Sequence, residues 1–309
     1  GVIVTTNELM QSFNNLLQDQ EAEVRAASLK SIPGYCDLVG SSLFLQHVMP
    51  SLTALLQDQN LNVRTSLSAS CMELAGKLGQ DHTTIHIVPL LQTFLRDDSP
   101  EVRLKILNQI ESLAAWMPVM GDTVLPMLIE LAQDNNWRVR QAVIRAIPVL
   151  SEHMGVQYFE QHLMELYLEA YTDRVAEVRL AASVGLQKIL TVCGVDHLQQ
   201  RVLPRIKQFY ERSNFYLIRI TVLLALKTLA VDGASSALLG DITQLVLEGA
   251  RDTTPNVRFT AASALADVSH HVDDATVQTQ IRPCLTELAQ VDPDGDVKYF
   301  AQMALANCG

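Results

Sequence analysis

The sequence is short of most features that carry chemistry. Of its 309 residues two are tryptophan, and aromatics make up 6%. Its five cysteines, Cys36, Cys71, Cys193, Cys284 and Cys308, are far apart, odd in number and never form a C-x-x-C pair. That argues against a disulfide framework and against a zinc knuckle. Positive charge is scarce: 23 Lys and Arg face 34 Asp and Glu, a net charge of −11. No basic surface for gripping nucleic-acid phosphates is implied. The most apolar stretch, LIRITVLLALKTLA at 217–230, carries Arg219 and Lys227 and is too short to span a bilayer. There is no N-x-S/T site, and no basic-then-apolar leader opens the sequence. A reduced cytoplasmic or nuclear setting is the expectation.

Site motifs are missing as well. There is no phosphate loop of the form G-x-x-x-x-G-K-S/T, no G-x-G-x-x-G and no G-x-S-x-G elbow. His82 and His86 have i, i+4 spacing, but Thr83 stands where a metalloprotease needs Glu. His270–His271 before Asp273–Asp274 reads as a polar turn. DPDGD at 292–296 resembles the start of a calcium loop, yet its twelfth position is Met303 instead of a bidentate Glu. No catalytic residue, cofactor or metal is expected, and the chain is read as no enzyme.

What is present is a repeat. The segments EVRAA (23–27), NVRTS (62–66), EVRLK (101–105), RVRQA (138–142), EVRLA (177–181), LIRIT (217–221), NVRFT (256–260) and DVKYF (296–300) recur. Their basic residues, Arg25, Arg64, Arg103, Arg140, Arg179, Arg219, Arg258 and Lys298, are spaced 39, 39, 37, 39, 40, 39 and 40 apart. The residue before each is Val or Ile, and the residue seven after is apolar, with Cys71 in the second copy. Six before it stands Asp19, Asp58, Asp97, Asp134, Asp173, Asp252 or Asp292, with Ser213 in the sixth copy. Five copies carry a proline further upstream: Pro50, Pro89, Pro126, Pro204 and Pro283.

Offsets of −1, +3 and +7 share one helical stripe, so each V-R starts a second helix. The Asp or Ser ahead of it suits a turn and can accept from free amides at the helix start. The run before the Asp is another apolar-periodic helix, kinked or restarted at its proline. Each copy is then helix, turn, helix. Such pairs bury their faces only by stacking. The expected fold is all-α, an α-α superhelix of eight stacked copies at about 5–40, 41–80, 81–118, 119–155, 156–194, 195–234, 235–272 and 273–309, in one array over 1–309. A period near 37 to 40 with two helices per copy belongs to the HEAT/armadillo class.

The Asp-x5-Arg column resembles HEAT repeats, where the Arg of one repeat bonds the Asp of a neighbour. The resemblance implies a structural ladder of Asp19, Arg25, Asp58, Arg64, Asp97, Arg103, Asp134, Arg140, Asp173, Arg179, Arg219, Asp252, Arg258, Asp292 and Lys298. WRVR (137–140), SPEVRL (99–104), HIVPLL (86–91), NVRF (256–259) and DVKYFAQMAL (296–305) together are similar to the scaffold (A) subunit family of type 2A protein phosphatases. That resemblance implies the last eight of fifteen repeats, hence a C-terminal piece or a shortened relative. Its implied partner is a phosphatase catalytic subunit, held from about Leu125 onward on the turns within repeats. It also implies a regulatory subunit bound mostly through repeats absent here.

By the same resemblance Trp137, Arg138, Phe215 and Tyr216 are partner-binding, with Thr254 and Asp294 as turn positions. Ala176 and Ser213 depart from the family pattern. The alternative is an importin-like transport adaptor for protein cargo, which expects Trp/Asn ladders that Trp116 and Trp137 alone do not supply. A HEAT-like lyase would need inner-face carboxylates and a basic groove. Exposed apolar residues on the turns would favour the scaffold; on the concave helices they would favour an adaptor or enzyme.

Overall fold

The computed structural model describes residues 2–231 and 234–308, and at 2–7, 113, 119 and 120 the backbone alone. The outermost residues of the expected array, 1 and 309, lie outside that description. Among the described residues every regular element is a helix. The chain divides into two compact units, Gly1–His153 and Met154–Gly309, each holding four of the eight basic positions.

Every second helix begins three residues before its basic residue, at Ala22, Leu61, Pro100, Trp137, Ala176, Tyr216, Pro255 and Gly295. The start is fixed by a side-chain bond that closes before the helix does. Asp Oδ1 accepts the amide two residues on, at 2.7–2.9 Å, from Glu21, Asn60, Ser99, Asn136, Val175, Thr254 and Asp294. Ser213 Oγ does the same for Phe215 at 3.1 Å. The Asp column therefore shapes the turn rather than capping the helix, which differs from the direct bond to first-turn amides expected above. Capping falls to the residue that the Asp holds. Asn60, Ser99, Asn136 and Asp294 accept amides from the first turn of their own helices.

The apolar stripe faces inward. Val63, Val102, Val139, Val178, Val257 and Val297 are buried, and so are Ile32, Cys71, Ile147, Leu186, Leu226 and Leu265 in the column two stripe positions further on. Each such side chain contributes roughly 1.5–3 kcal/mol by leaving water. In the fifth copy Phe159, Tyr167 and Tyr171 meet edge to face in a fully buried row. The Tyr167 hydroxyl donates to the carbonyl of Ala182 and ties the two helices together.

The first helices are bent. A π-helical turn at Thr83–Ile87, Phe159–Leu163, Leu198–Val202 or Val277–Ile281 precedes the straight segment. Pro50, Pro89, Pro204 and Pro283 stand second in the segments that follow a bend, where a missing amide costs nothing. Pro126 lies inside Met117–Leu131. The fifth copy bends with no proline, with Phe159, Leu163 and Met164 buried across the bend.

Candidate functional site: the turn ridge and the second-helix face

The basic column stitches successive turns. Nε of Arg25, Arg64 and Arg258 donates to Asp58, Asp97 and Asp292 of the next copy at 2.7, 2.7 and 2.6 Å. Nη2 of the same residues reaches the second oxygen at 2.8–3.1 Å. Arg103 and Arg219 pair with Asp134 and Asp252 at 3.0 and 2.8 Å, with Nε off the hydrogen-bond direction. In each case Nη1 also donates to the carbonyl of the turn in its own copy. One guanidinium thus closes two turns.

These pairs are largely screened from water, and their acid–base behaviour follows. Hydrogen bonds from Arg258 hold the Asp292 carboxyl below the usual carboxylate range. Burial pushes Asp58 up, but the Arg25 bonds and the Asn60 amide outweigh it and the carboxyl ends low. Arg25, Arg64 and Arg258 are shifted up by the same bonds.

The fifth-copy arginine is different. The next copy offers Ser213, and Arg179 instead donates from Nε to Thr221 Oγ1 at 3.2 Å. Its Nη1 still holds the Asp173 carbonyl at 2.7 Å. The final basic residue, Lys298, lies four residues after Asp294 and donates its amide to the Asp294 carbonyl at 3.2 Å.

Trp137, Arg138 and Tyr216 sit in the first turn of second helices, one step later than the turn itself, whereas Phe215, Thr254 and Asp294 are the last residues of their turns. Trp137 and Arg138 are the first two residues of Trp137–Tyr158. Trp137 is half-buried, and the exposed Arg138 guanidinium lies over its ring at 4.5 Å from the centroid. Phe215 is the N-cap of Tyr216–Leu229 and is 48% exposed, with the Tyr216 ring 6.0 Å away. Thr254 and Asp294 are N-caps with structural bonds of their own. Thr254 Oγ1 accepts from Arg219 at 3.2 Å, and Asp294 caps its helix. The structure joins Phe215 to Tyr216 and Trp137 to Arg138. Trp137 and Arg138 belong to the first unit and the other four to the second.

A second apolar feature was not anticipated. In the second unit the positions one and five after the basic residue are Leu180 and Val184, Ile220 and Leu224, Phe259 and Ser263, and Tyr299 and Met303. Leu180, Val184, Tyr299, Met303 and the neighbouring Phe300 are exposed, Val184 to 65%. Ile220, Leu224 and Phe259 are half-buried. Phe300 stacks on Phe259 at 4.9 Å, which links the last two helices. The same positions in the first unit are Ala26, Lys30, Thr65, Ala69, Leu104, Asn108, Gln141 and Arg145. The signal was in the sequence, but apolar residues on a helix read as core until a neighbour fails to cover them.

The remaining motifs have local roles. His82 and His86 lie with ring centroids 6.1 Å apart. Among the described residues no group of three His, Cys, Asp or Glu gathers as a metal site would require. Asp273 caps a short turn by accepting the Thr276 amide at 2.8 Å. In DPDGD, Asp292 is the ladder carboxylate and Asp294 the cap. No helix among the described residues is long and apolar enough to cross a membrane.

Residues 3–79 match the family model for the PPP2R1A-like HEAT repeat, and residues 87–187 match the model for HEAT repeats. The chain is a HEAT-repeat protein. Its HEAT repeats are 34% identical over 133 residues to the regulatory (A) subunit of protein phosphatase PP2A from Saccharomyces cerevisiae, which covers 40% of the chain and 20% of that protein. They are 29% identical over 90 residues to serine/threonine-protein phosphatase 4 regulatory subunit 4 of Homo sapiens, covering 29% of the chain and 10% of the relative. The chain therefore spans a fifth or less of the curated relatives named here. Among solved structures the karyopherin Kap121p superposes with a TM-score of 0.75 at 18% identity, over 97% of this chain and 33% of that one. At that identity the likeness is one of fold: an all-α HEAT-repeat solenoid.

Proposed function

We propose that the chain is a non-catalytic regulatory scaffold of a type 2A serine/threonine protein phosphatase. Its ridge of second-helix starts holds the catalytic subunit, with Trp137, Arg138, Phe215 and Tyr216 as the contact residues and Thr254 and Asp294 at the same position in later copies. The assembly would be cytoplasmic and would include a regulatory subunit. Similarity to two phosphatase regulatory subunits supports this reading. The observation that carries it is Phe215, an exposed aromatic at a helix start, beside Tyr216 on a turn that its own core does not cover. Aromatic residues and Arg are the usual anchors of protein interfaces.

Calorimetric titration of the chain with a type 2A catalytic subunit tests the reading. Truncating a buried aromatic anchor costs about 2 kcal/mol or more, roughly a thirtyfold loss of affinity. Trp137→Ala and Tyr216→Ala should each produce that loss while the chain stays folded. Absence of binding by the folded parent chain would refute the scaffold reading. Unchanged binding by both variants would refute the ridge.

One observation favours a second reading, an adaptor that carries protein cargo. The exposed apolar row Leu180, Val184, Tyr299, Phe300 and Met303 lies on the second helices, away from the turns. An adaptor would lose its cargo on substitution in that row and keep it on substitution of Trp137.

A further inference from the structure

The arginine ladder has one position where a hydroxyl stands for a carboxylate. Ser213 lies in the irregular segment between two helices, half-exposed, and its Oγ reproduces half of the Asp role by accepting the Phe215 amide at 3.1 Å. It also donates to the Phe215 carbonyl at 3.2 Å. What it lacks is charge.

The guanidinium that would receive that charge is kept in place. Arg179 is 3% exposed, and its Nη1 is bound to its own turn as in the other copies. Its Nε contact to Thr221 Oγ1 is neutral and long, and among the described residues it forms no ion pair. A buried cation without a paired carboxylate is costly: burial lowers the Arg179 pKa, although the charges of Asp173 and Glu177 act the other way, whereas the paired arginines are raised. An aspartate would have completed the ladder permanently. Serine leaves it open, and serine is also the residue on which charge can be installed.

We propose that Ser213 is a phosphorylation site whose phosphate pairs with Arg179 and closes the ladder between the fifth and sixth repeats. An ATP-dependent protein kinase would transfer the γ-phosphoryl group to Oγ. The Oγ–phosphorus bond forms, the bond from the γ-phosphorus to the bridging oxygen breaks, ADP leaves and the hydroxyl proton is released. The product carries about −1.5 to −2 charges at neutral pH and three acceptor oxygens. One set faces the guanidinium. Another faces the start of Tyr216–Leu229, a 14-residue helix with no side-chain cap, whose free amides and dipole favour an anion. The modified residue stands two positions before Phe215, so the tightened turn is the one that presents that aromatic.

The test uses the full chain with phosphoserine encoded at position 213. Pairing with Arg179 should move the second phosphate pKa below its ordinary value of about 6 in a phosphorus NMR titration, and Arg179→Gln should return it to about 6. Should Arg179→Gln fail to fold, Ser213→Asp supplies the second measurement, because it removes nothing. Both phosphoserine and Asp should slow amide exchange at Ala181, Ala182 and Val222 by about tenfold or more, the equivalent of one charge-assisted hydrogen bond. Phosphopeptide mapping of the chain from cells treated with phosphatase inhibitors should find phosphate on Ser213. An ordinary phosphate pKa, unslowed exchange, or a chain bare at Ser213 in those cells would overturn the proposal.

Discussion

Removing the charge of Asp292 while keeping its shape is the sharpest test of the ladder. The Arg258 and Asp292 side chains are 12% and 4% exposed, and they meet through two bonds at 2.6 and 2.8 Å. Asp292→Asn keeps an Oδ1 to accept the Asp294 amide, so the turn survives, but Arg258 loses its counter-charge. Breaking a buried pair from one side costs about 3–5 kcal/mol, and the residual exposure puts this one near the lower end. Asp292→Ala removes the turn bond as well and should cost about 1 kcal/mol more. An array of repeats does not unfold in one step, so a global midpoint gives the direction of a local loss and not its size. Native-state hydrogen exchange of the amides at Val297 to Ala301 reads the affected helix directly. A loss of about 3 kcal/mol corresponds to roughly 150-fold faster exchange. Glu130→Gln is the control, since its pair with Arg96 is 3.6 Å long and exposed on both sides; it should change exchange nearby by less than about threefold. If Asp292→Asn behaved like that control, the claim that the ladder stabilises the repeats would be wrong.

Other outcomes follow from the same structure. The Asp58 and Asp292 carboxyls sit below their unfolded value of about 3.9, so their contribution is complete above it and is lost as pH falls through the folded values; urea midpoints should drop below about pH 5, and less steeply in an Asp58→Asn, Asp292→Asn chain. Gly79 joins the second and third copies at φ 78 and ψ 175, a region closed to other residues, with open space around its missing Cβ. Gly79→Ala should therefore cost about 1–3 kcal/mol through backbone strain alone, read as a lower thermal midpoint, and an unchanged midpoint would mean the joint relaxes freely. Leu180→Ser with Val184→Ser should leave the midpoint within about a degree, because both side chains already face water; a large drop would show that they belong to the core.

The repeat was legible because its columns are set by geometry. A turn needs an acceptor at one position, a ladder needs a guanidinium six later, and a stack needs Val beside it. Those demands leave the same letters about every 39 residues. The Trp137 side chain was legible as an anomaly, though its place as the first residue of a helix was not, because Asn136 and not Asp134 is the cap. The bends in the first helices were hidden where no proline marks them. Phe159–Leu163 makes the same π-helical turn as the proline-bearing copies, with no proline in its sequence to mark it. A glycine joint fifteen residues after the arginine recurs at Gly40, Gly79, Gly155 and Gly194, all at φ 78–83. It stayed unread because Pro118, Ala234 and Asp273 fill that column elsewhere.

The apolar face of the second unit has a consequence for stoichiometry. Leu180, Val184, Tyr299, Phe300 and Met303 are exposed on the chain by itself, and exposed apolar surface on a lone protein invites self-association. The first unit has Lys30, Asn108 and Arg145 at the matching positions; its exposed apolar residues, such as Leu38 and Ile85, stand elsewhere. Chains made in excess of whatever covers that face would be the ones to aggregate or be degraded. The abundance of the protein in a cell would then be set less by its own synthesis than by the supply of its partner.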